Sequence, residues 1–292
     1  MELRHLRYFL ATADHLHFRI AAEELLVSQP TLSEQIKDLE KELGTDLFER
    51  TGRRVRLTQA GEVFQAYARR ALAVIEEGQS VLHEFDELLR GRLRVGVVQT
   101  VGSYLIPQVI AKFSASFPSV ALRIENLSAD EIESGLMDGT IDLGITFTPL
   151  NSTQFNVEPI GEEQFVLVVA NSHRLASRKR IRIVDLANEP LCLMSTGFCT
   201  RRLINAAFAE AGVNLAVAVE MTSIESCRNV TLAGGPPTII PQLAVMSLKA
   251  PCIRLEQPMI KRTLCLLSSK TQTKLRCREE FATLVRETKL CD

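Results

Sequence analysis

Leu3, Leu6, Phe9, Leu10 and Ala13 recur three and four positions apart, a spacing that predicts an amphipathic helix over residues 2–14. A second short helix is read over 18–25, where Ile20, Ala21 and Ala22 are small enough for close approach of a neighbour. The polar break Val27-Ser28-Gln29-Pro30 then offers an N-cap serine and a first-turn proline, whose missing N–H costs nothing there. Leu32, Ile36, Leu39 and Leu43 line one face of a third helix, which Gly44 ends. Two helices joined by so tight a turn make a helix-turn-helix.

From Leu47 to Leu57 the pattern switches to that of a β-hairpin, with Thr51-Gly52 as turn chemistry and Val55 and Leu57 alternating. Thr58 caps a long helix predicted to reach about Arg90. Along it Phe64, Tyr67, Ala71, Val74, Gly78, Val81, Phe85 and Leu88 form a seam of coiled-coil spacing, which favours dimerisation.

Gly91 marks a boundary, beyond which the apolar runs shorten to "LRVGVV", "ALRIENL", "DLGITF" and "FVLVVA". Helical stretches around 105–117 and 132–137 lie between the first three. Strand alternating with helix predicts a parallel sheet. A second set follows in "PLCLMS", a helix near 201–211, "AVAVEM", a helix near 223–233 and "PTIIP". "RTLCLLSS" is a late strand, and 274–289 a last helix. Two similar α/β halves, with the chain crossing near 160 and returning near 265, suggest a clamp of two lobes.

The chain has 292 residues, enough for two or three domains. Net charge is −1, which hides segregation: Arg50, Arg53, Arg54 and Arg56 fall within seven residues. Such a run suits a solvated loop or a phosphate-contacting wing. No apolar run is long enough to cross a membrane. The N-terminus carries an acid and lacks the apolar core of a signal peptide, so a cytoplasmic protein is expected. The seven cysteines lie between Cys192 and Cys291 with no spacing that suggests zinc. Reduced thiols acting as small core residues are the expected reading, and no metal or cofactor is implied.

On the third helix, Pro30, Glu34, Lys37 and Lys41 occupy the outer arc, with Thr31, Ser33 and Asp38 beside it. Short donors and acceptors at a helix tip suit a major groove, and Gln29 and Thr31 stand where such a helix meets bases. In the second half, Thr100, Gly102 and Ser103 of "VVQTVGSYLIP", Ser128, Thr146, Thr148, and Ser195, Thr196, Phe198, Thr200 and Arg201 of "STGFCTRRL" follow strand ends. Hydroxyls and helix starts converge there on the crevice between lobes, and a small anion or carboxylate is the ligand expected. Ordinary helix capping explains any one of these residues equally well.

The stretch "AAEELLVSQPTLSEQIKDLEKELGTDLFERTGRRVRLTQAGE" resembles the N-terminal winged helix-turn-helix of the LysR-type transcriptional regulators. The resemblance extends in layout over the whole chain and, within the family, toward the regulators of cyanate metabolism. It implies an α/β fold with an N-terminal winged helix-turn-helix, a long linker helix, and two Rossmann-like α/β lobes resembling periplasmic binding proteins. The corresponding divisions are 1–58, 59–90 and 91–292, with lobe I at about 92–161 and 266–292 and lobe II at about 162–265. It further implies double-stranded operator DNA of two-fold symmetry, a small-molecule inducer, a homodimer or homotetramer, and RNA polymerase as partners. Ser28, Gln29, Pro30, Thr31, Ser33, Glu34 and Lys37 would meet DNA, with Arg53 and Arg54 on the flanking backbone. Glu34 departs from the Gln or Arg often found there.

Peroxide-sensing members carry a reactive cysteine on the "STGFCTRRL" loop and a second one nine residues on. Cys199 matches the first, but Phe208 stands at the second, so that disulfide cannot form. Arg201 could activate Cys199, and a one-cysteine sensor remains an alternative to the inducer. "AGGPPTIIP" is a further departure, stiffened by Pro236-Pro237. A plain solute-binding protein is disfavoured by the ninety residues that precede the lobes. No Ser-His-Asp order, phosphate loop or GxGxxG supports an enzyme.

Overall fold

The computed structural model describes residues 1–51, 54–84, 91–148, 150, 153–245, 250–270 and 275–288. It begins with three helices, α1 (Leu3–His15), α2 (Phe18–Glu24) and α3 (Gln29–Leu43). The Ser28 hydroxyl accepts from the Thr31 N–H at 3.2 Å, and Gly44 ends α3 at φ 69°. Strands β1 (Phe48–Thr51) and β2 (Arg54–Leu57) pair antiparallel as the wing, whose tip, including Arg53, lies outside the described residues. Leu32, Ile36 and Leu39 are fully buried against α1 and α2, together with Phe9, which stacks on Phe48 and Phe64 at 5.4 and 5.1 Å. Glu40 is buried as well. Its carboxylate accepts from the Leu47 and Phe48 N–H groups at 2.9 and 3.0 Å, which fixes where the wing leaves α3.

Helix α4 (Gln59–Glu84) starts on the Thr58 hydroxyl, which accepts from the Gly61 N–H at 2.9 Å. Phe64 corrects the predicted seam: it packs inside the helix-turn-helix core, because Phe9 lies beneath it. The outward apolar set runs instead through Val63, Tyr67, Val74 and Leu82, each more than half exposed. Phe85 and Leu88 lie outside the described residues.

The next elements are β3 (Gly91–Val97), α5 (Gln99–Tyr104), α6 (Ile106–Ser116), β4 (Val120–Asn126), α7 (Ala129–Asp138) and β5 (Leu143–Phe147). They lead into β6 (Phe155–Val168), β7 (Arg180–Arg182), β8 (Leu191–Met194), α8 (Cys199–Glu210), β9 (Val217–Met221), α9 (Ile224–Leu232) and β10 (Thr238–Pro241). The chain closes with β11 (Cys252–Glu256), β12 (Lys261–Ser269) and α10 (Arg276–Glu287).

Strands β4, β3 and β5 are parallel, as strand–helix alternation demands, while β12 runs antiparallel to β5 and β6. The expected strand "FVLVVA" is only the end of β6. The earlier half of β6, polar and containing Pro159, pairs with β12, and residues 165–168 pair with β10 and β11. One strand therefore serves both lobes. The return expected near 265 falls inside β12, which begins at Lys261 and pairs with β6 from there onward. Each lobe has its own apolar cluster, one around Phe113, Ile145 and Phe281, the other around Leu167, Leu193 and Phe208. No helix among the described residues is long and apolar enough to cross a membrane.

Lobe I is tied to α4 by ions. The buried Asp142 carboxylate accepts from the Arg94 N–H at 2.8 Å and from Arg278 Nη2 at 3.0 Å. Arg278 Nη1 in turn reaches Glu77 on α4 at 3.2 Å, and Arg94 Nη1 lies 3.7 Å from Glu76. The α7 cap Gly139 fits directly beneath Ala73, 2.5 Å from where a Cβ would stand.

Two glycines of α4 test this packing with opposite signs. A Cβ at Gly61 would lie 2.2 Å from the Leu47 carbonyl oxygen, whereas Gly78 faces open space. Gly61→Ala should destabilise the protein by about 2 kcal/mol through overpacking, and Gly78→Ala should stabilise it by about 0.5–1 kcal/mol through helix propensity. Thermal and urea unfolding measure both.

Candidate functional site

Two surfaces bring the sequence-predicted residues together. On the first, Ser28, Gln29, Pro30, Thr31, Glu34 and Lys37 are all exposed at the start and along the outer face of α3, with Ser33 half-buried beside them. Their exposure follows from the same periodicity that buries Leu32, Ile36 and Leu39. Ser28 serves as the cap, and its hydroxyl also lies 2.8 Å from that of Thr31. Leu26, in the turn before α3, is 92 % exposed at φ 55°. The helix N-terminus thus points at solvent with polar side chains around it, an arrangement suited to anionic backbones. Of the wing, Arg56 is exposed, Arg54 is described only in its backbone, and Arg53 lies outside the described residues.

The second surface is the crevice between lobes, and here the geometry departs from the expectation. Gly102 does not offer a free N–H. It sits within α5, its N–H donates to the Val98 carbonyl at 3.2 Å, and a Cβ there would meet Asn126 Oδ1 at 2.7 Å. A helix has formed where a strand-to-helix loop was expected, and Ser103 donates within it to the Thr100 carbonyl. Ser128 is a capping-box residue of α7, reciprocally bonded to Glu131, and is exposed. Thr146 is fully buried in β5 with no partner for its hydroxyl among the described residues. Thr148 and Thr196 are exposed, and Phe198 is half-buried against the second lobe.

Arg201 also departs. It is buried and turned into its own lobe, donating from Nη1 to the Met194 carbonyl and to Glu220 at 2.9 and 2.8 Å, and from Nε to Asn205 at 2.9 Å. With these acceptors it braces β8 and β9 and leaves Cys199 alone. The arginine that reaches the crevice is Arg262 of β12.

Arg262 and Glu163 stand opposite each other in the β12–β6 ladder, and both side chains are sealed from solvent. Nε of Arg262 donates to Glu163 Oε2, and the Tyr104 hydroxyl of α5 donates to Glu163 Oε1. Nη2 donates to the Thr100 hydroxyl at 2.8 Å in lobe I, while Nη1 donates to the Thr200 hydroxyl at 3.2 Å in lobe II. Nη1 also lies 3.8 Å from Cys199 Sγ. Phe147 stacks on the guanidinium at 3.5 Å, and Phe165 lies 5.0 Å from it. A single planar cation thus touches both lobes and the strand that joins them. Burial, and after it the Glu163 charge, push the Tyr104 phenol well above its ordinary range, so it stays a donor.

Cys199 opens α8, where the helix dipole and Arg262 meet its sulfur, and it is half-buried. Burial, and after it Cys192, push Cys227 up to about 12, and burial raises Cys192 and Cys265 too. Phe208, which stands where a partner cysteine would be needed, is buried in the core of lobe II. Among the described residues no cluster of His, Cys, Asp and Glu could hold a metal ion. Arg262, Glu163 and Tyr104 escaped the sequence reading. Their only linear trace is a charge at the head of an apolar run, in "EEQFVLVV" and "KRTLCLL".

Comparison with known proteins bears on both surfaces. Residues 3–62 match the model described as bacterial regulatory helix-turn-helix protein, lysR family, and residues 86–289 match the LysR substrate binding domain. A hydrogen peroxide-inducible genes activator of Dickeya chrysanthemi is 35% identical over 98% of this chain and 95% of its own. Full-length OxyR C199D from Pseudomonas aeruginosa superposes with a TM-score of 0.78 at 28% identity, covering 99% of this chain and 95% of that one. CbnR, a LysR family transcriptional regulator solved in complex with its target DNA, gives 0.72 at 26% identity over 99% and 100%. The nearness to cyanate regulators expected from the sequence finds no support in these relatives.

The buried ion pair makes a stability prediction. Glu163→Ala leaves Arg262 charged and uncompensated, so it should cost about 3 kcal/mol or more in urea unfolding. Adding Arg262→Met should recover much of that loss, because an apolar pair needs no compensation.

Proposed function

The chain belongs to the LysR family of bacterial transcriptional regulators, and from that premise we propose that it binds operator DNA through α3 and senses hydroperoxide through Cys199. Residues 1–58 form the DNA-binding unit in this reading, 59–90 the dimerisation helix, and 91–292 the sensing lobes. Gln29, Pro30, Thr31 and Ser33 meet bases and phosphates, and the wing arginines, Arg53 and Arg54 among them, follow the flanking backbone. The exposed stripe of Val63, Tyr67, Val74 and Leu82 on α4 is supporting ground for pairing with a second copy. A two-fold dimer reads a two-fold operator, and further pairing of lobes would give a tetramer acting on RNA polymerase.

The observation that carries the sensing part is Arg262 bridging Thr100 and Thr200 with Cys199 Sγ at 3.8 Å. Those hydroxyls, expected to hold a small anion, are already engaged by the guanidinium. Beside them lies the half-buried sulfur of Cys199. A thiolate at Cys199 attacks the nearer oxygen of a hydroperoxide; an S–O bond forms as the O–O bond breaks. Sulfur gives up two electrons to the peroxide, and the leaving oxygen takes the proton released by the thiol. In this reading Thr100 and Arg262 donate to that oxygen. Relatives named for hydrogen peroxide-inducible genes support the same reading.

A second reading keeps a small-molecule inducer, as expected from the sequence. The buried Thr146 hydroxyl and Gln99 side-chain oxygen lack partners among the described residues, and both belong to lobe I near the strand ends. A ligand with its own donor and acceptor would satisfy them.

Two experiments follow. In a reporter assay, Cys199→Ser should abolish the response to hydrogen peroxide while operator affinity is retained; a preserved response favours the inducer. At the DNA face, Glu34→Gln removes a carboxylate from the phosphate side and should strengthen non-specific binding about threefold at low salt. A titration with random-sequence duplex, repeated at rising salt, measures it.

A further inference from the structure

We propose that Glu163 and Tyr104 are positioning residues, which aim the Arg262 guanidinium so that Nη1 faces Cys199 and Nη2 faces Thr100. The proposal rests on the reading of Cys199 as the sensing thiol and adds the groups that make its neighbour effective. Stability does not explain this ion pair. Both side chains are sealed from solvent among aromatic rings, and an apolar pair of similar volume would serve a core at least as well. Orientation does explain it. A guanidinium has five N–H donors in one rigid plane, and here each edge has a separate task. Glu163 takes Nε, Thr100 takes Nη2, and Thr200 with Cys199 takes Nη1.

The plane is fixed from three directions. The β6–β12 register sets Glu163 opposite Arg262, Phe147 covers one face at 3.5 Å, and the Tyr104 hydroxyl holds the far oxygen of Glu163. Tyr104 belongs to α5, the same short helix that presents Thr100. Tyr104 and Thr100 therefore set the carboxylate and the hydroxyl from one rigid element. Without the Tyr104 hydroxyl only the Arg262 bond orients the Glu163 carboxylate, and the aim of Nη1 at the sulfur loosens. Donors aimed at a charge that develops during reaction act only when their direction is fixed beforehand.

The test compares two reagents on the purified full-length chain. Hydrogen peroxide needs a donor for its leaving oxygen, and its reaction at Cys199 is followed by dimedone trapping and mass spectrometry. Iodoacetamide alkylates the same thiol without that need. Tyr104→Phe, which keeps the ring, should slow oxidation about tenfold while alkylation is unchanged. Arg262→Lys, which keeps the charge and loses the fork, should slow it about 100-fold. Equal falls in both reactivities alongside a lowered Tm, or no change in either, would overturn positioning and leave the sensing reading intact. A wild-type chain whose Cys199 is alkylated yet never oxidised by hydrogen peroxide overturns the sensing reading, and the positioning role with it.

Discussion

A charge sealed inside a protein must be answered locally, and three such carboxylates organise this molecule. Glu163 answers Arg262 where the lobes meet. Asp142 answers Arg94 and Arg278 where lobe I meets α4. Glu40 accepts two wing N–H groups where α3 meets β1. None of these is the cheapest way to fill a core, since desolvating a carboxylate costs several kcal/mol before any partner is counted. Apolar contacts, however, tolerate sliding, and an ion pair with directed hydrogen bonds does not. Each joint of the chain is therefore specified by a buried charge, while the bulk of each unit is held by its own apolar cluster.

The three joints are in series. Between the crevice and the DNA-facing helix run Arg262 with Thr100 of α5, the sheet of lobe I, the Asp142 network and α4. Lobe II enters this series through β6, the β11–β12 return, the contacts around Arg262 and the packing of α5 against residues 242–244. A chemical change at Cys199 meets the guanidinium first, because Nη1 is shared between that sulfur and Thr200. Both acceptors belong to α8, so Nη1 keeps a partner in lobe II whichever of them holds it, while its direction changes. Such a change shifts a population only to the extent that the altered sulfur prefers one arrangement.

What could be read in the chain was what is local. Ser28, Pro30 and Gly44 bracket α3 by capping chemistry, so the helix-turn-helix and its outward residues were legible within a few positions of their neighbours. The parallel strands β3, β4 and β5 were legible from their apolar runs. The first half of β6 was not, because a polar, proline-bearing stretch becomes a strand only when β12, about a hundred residues later, supplies its partner. Choosing between Arg201 and Arg262 lay beyond reach for the same reason. Arg201 is two positions from Cys199 in the chain yet turns toward Glu220, and Arg262 approaches from β12. Phe64 misled the seam because its ring faces Phe9, fifty-five positions earlier, across the helix-turn-helix core.

The clamp on α4 carries a mechanical corollary. The helix is gripped near its middle, at Ala73, Glu76 and Glu77, and it enters the wing domain at Gln59. Between grip and tip α4 runs about 21 Å at 1.5 Å per residue, with the helix-turn-helix core packed along it through Phe64, Ala68 and Leu72. A tilt of only about 10° at the grip would swing the tip by about 4 Å, roughly the 3.4 Å that separates neighbouring steps of a duplex. Motion too small to disturb the fold at its fulcrum is thus amplified into a whole step of register along the operator.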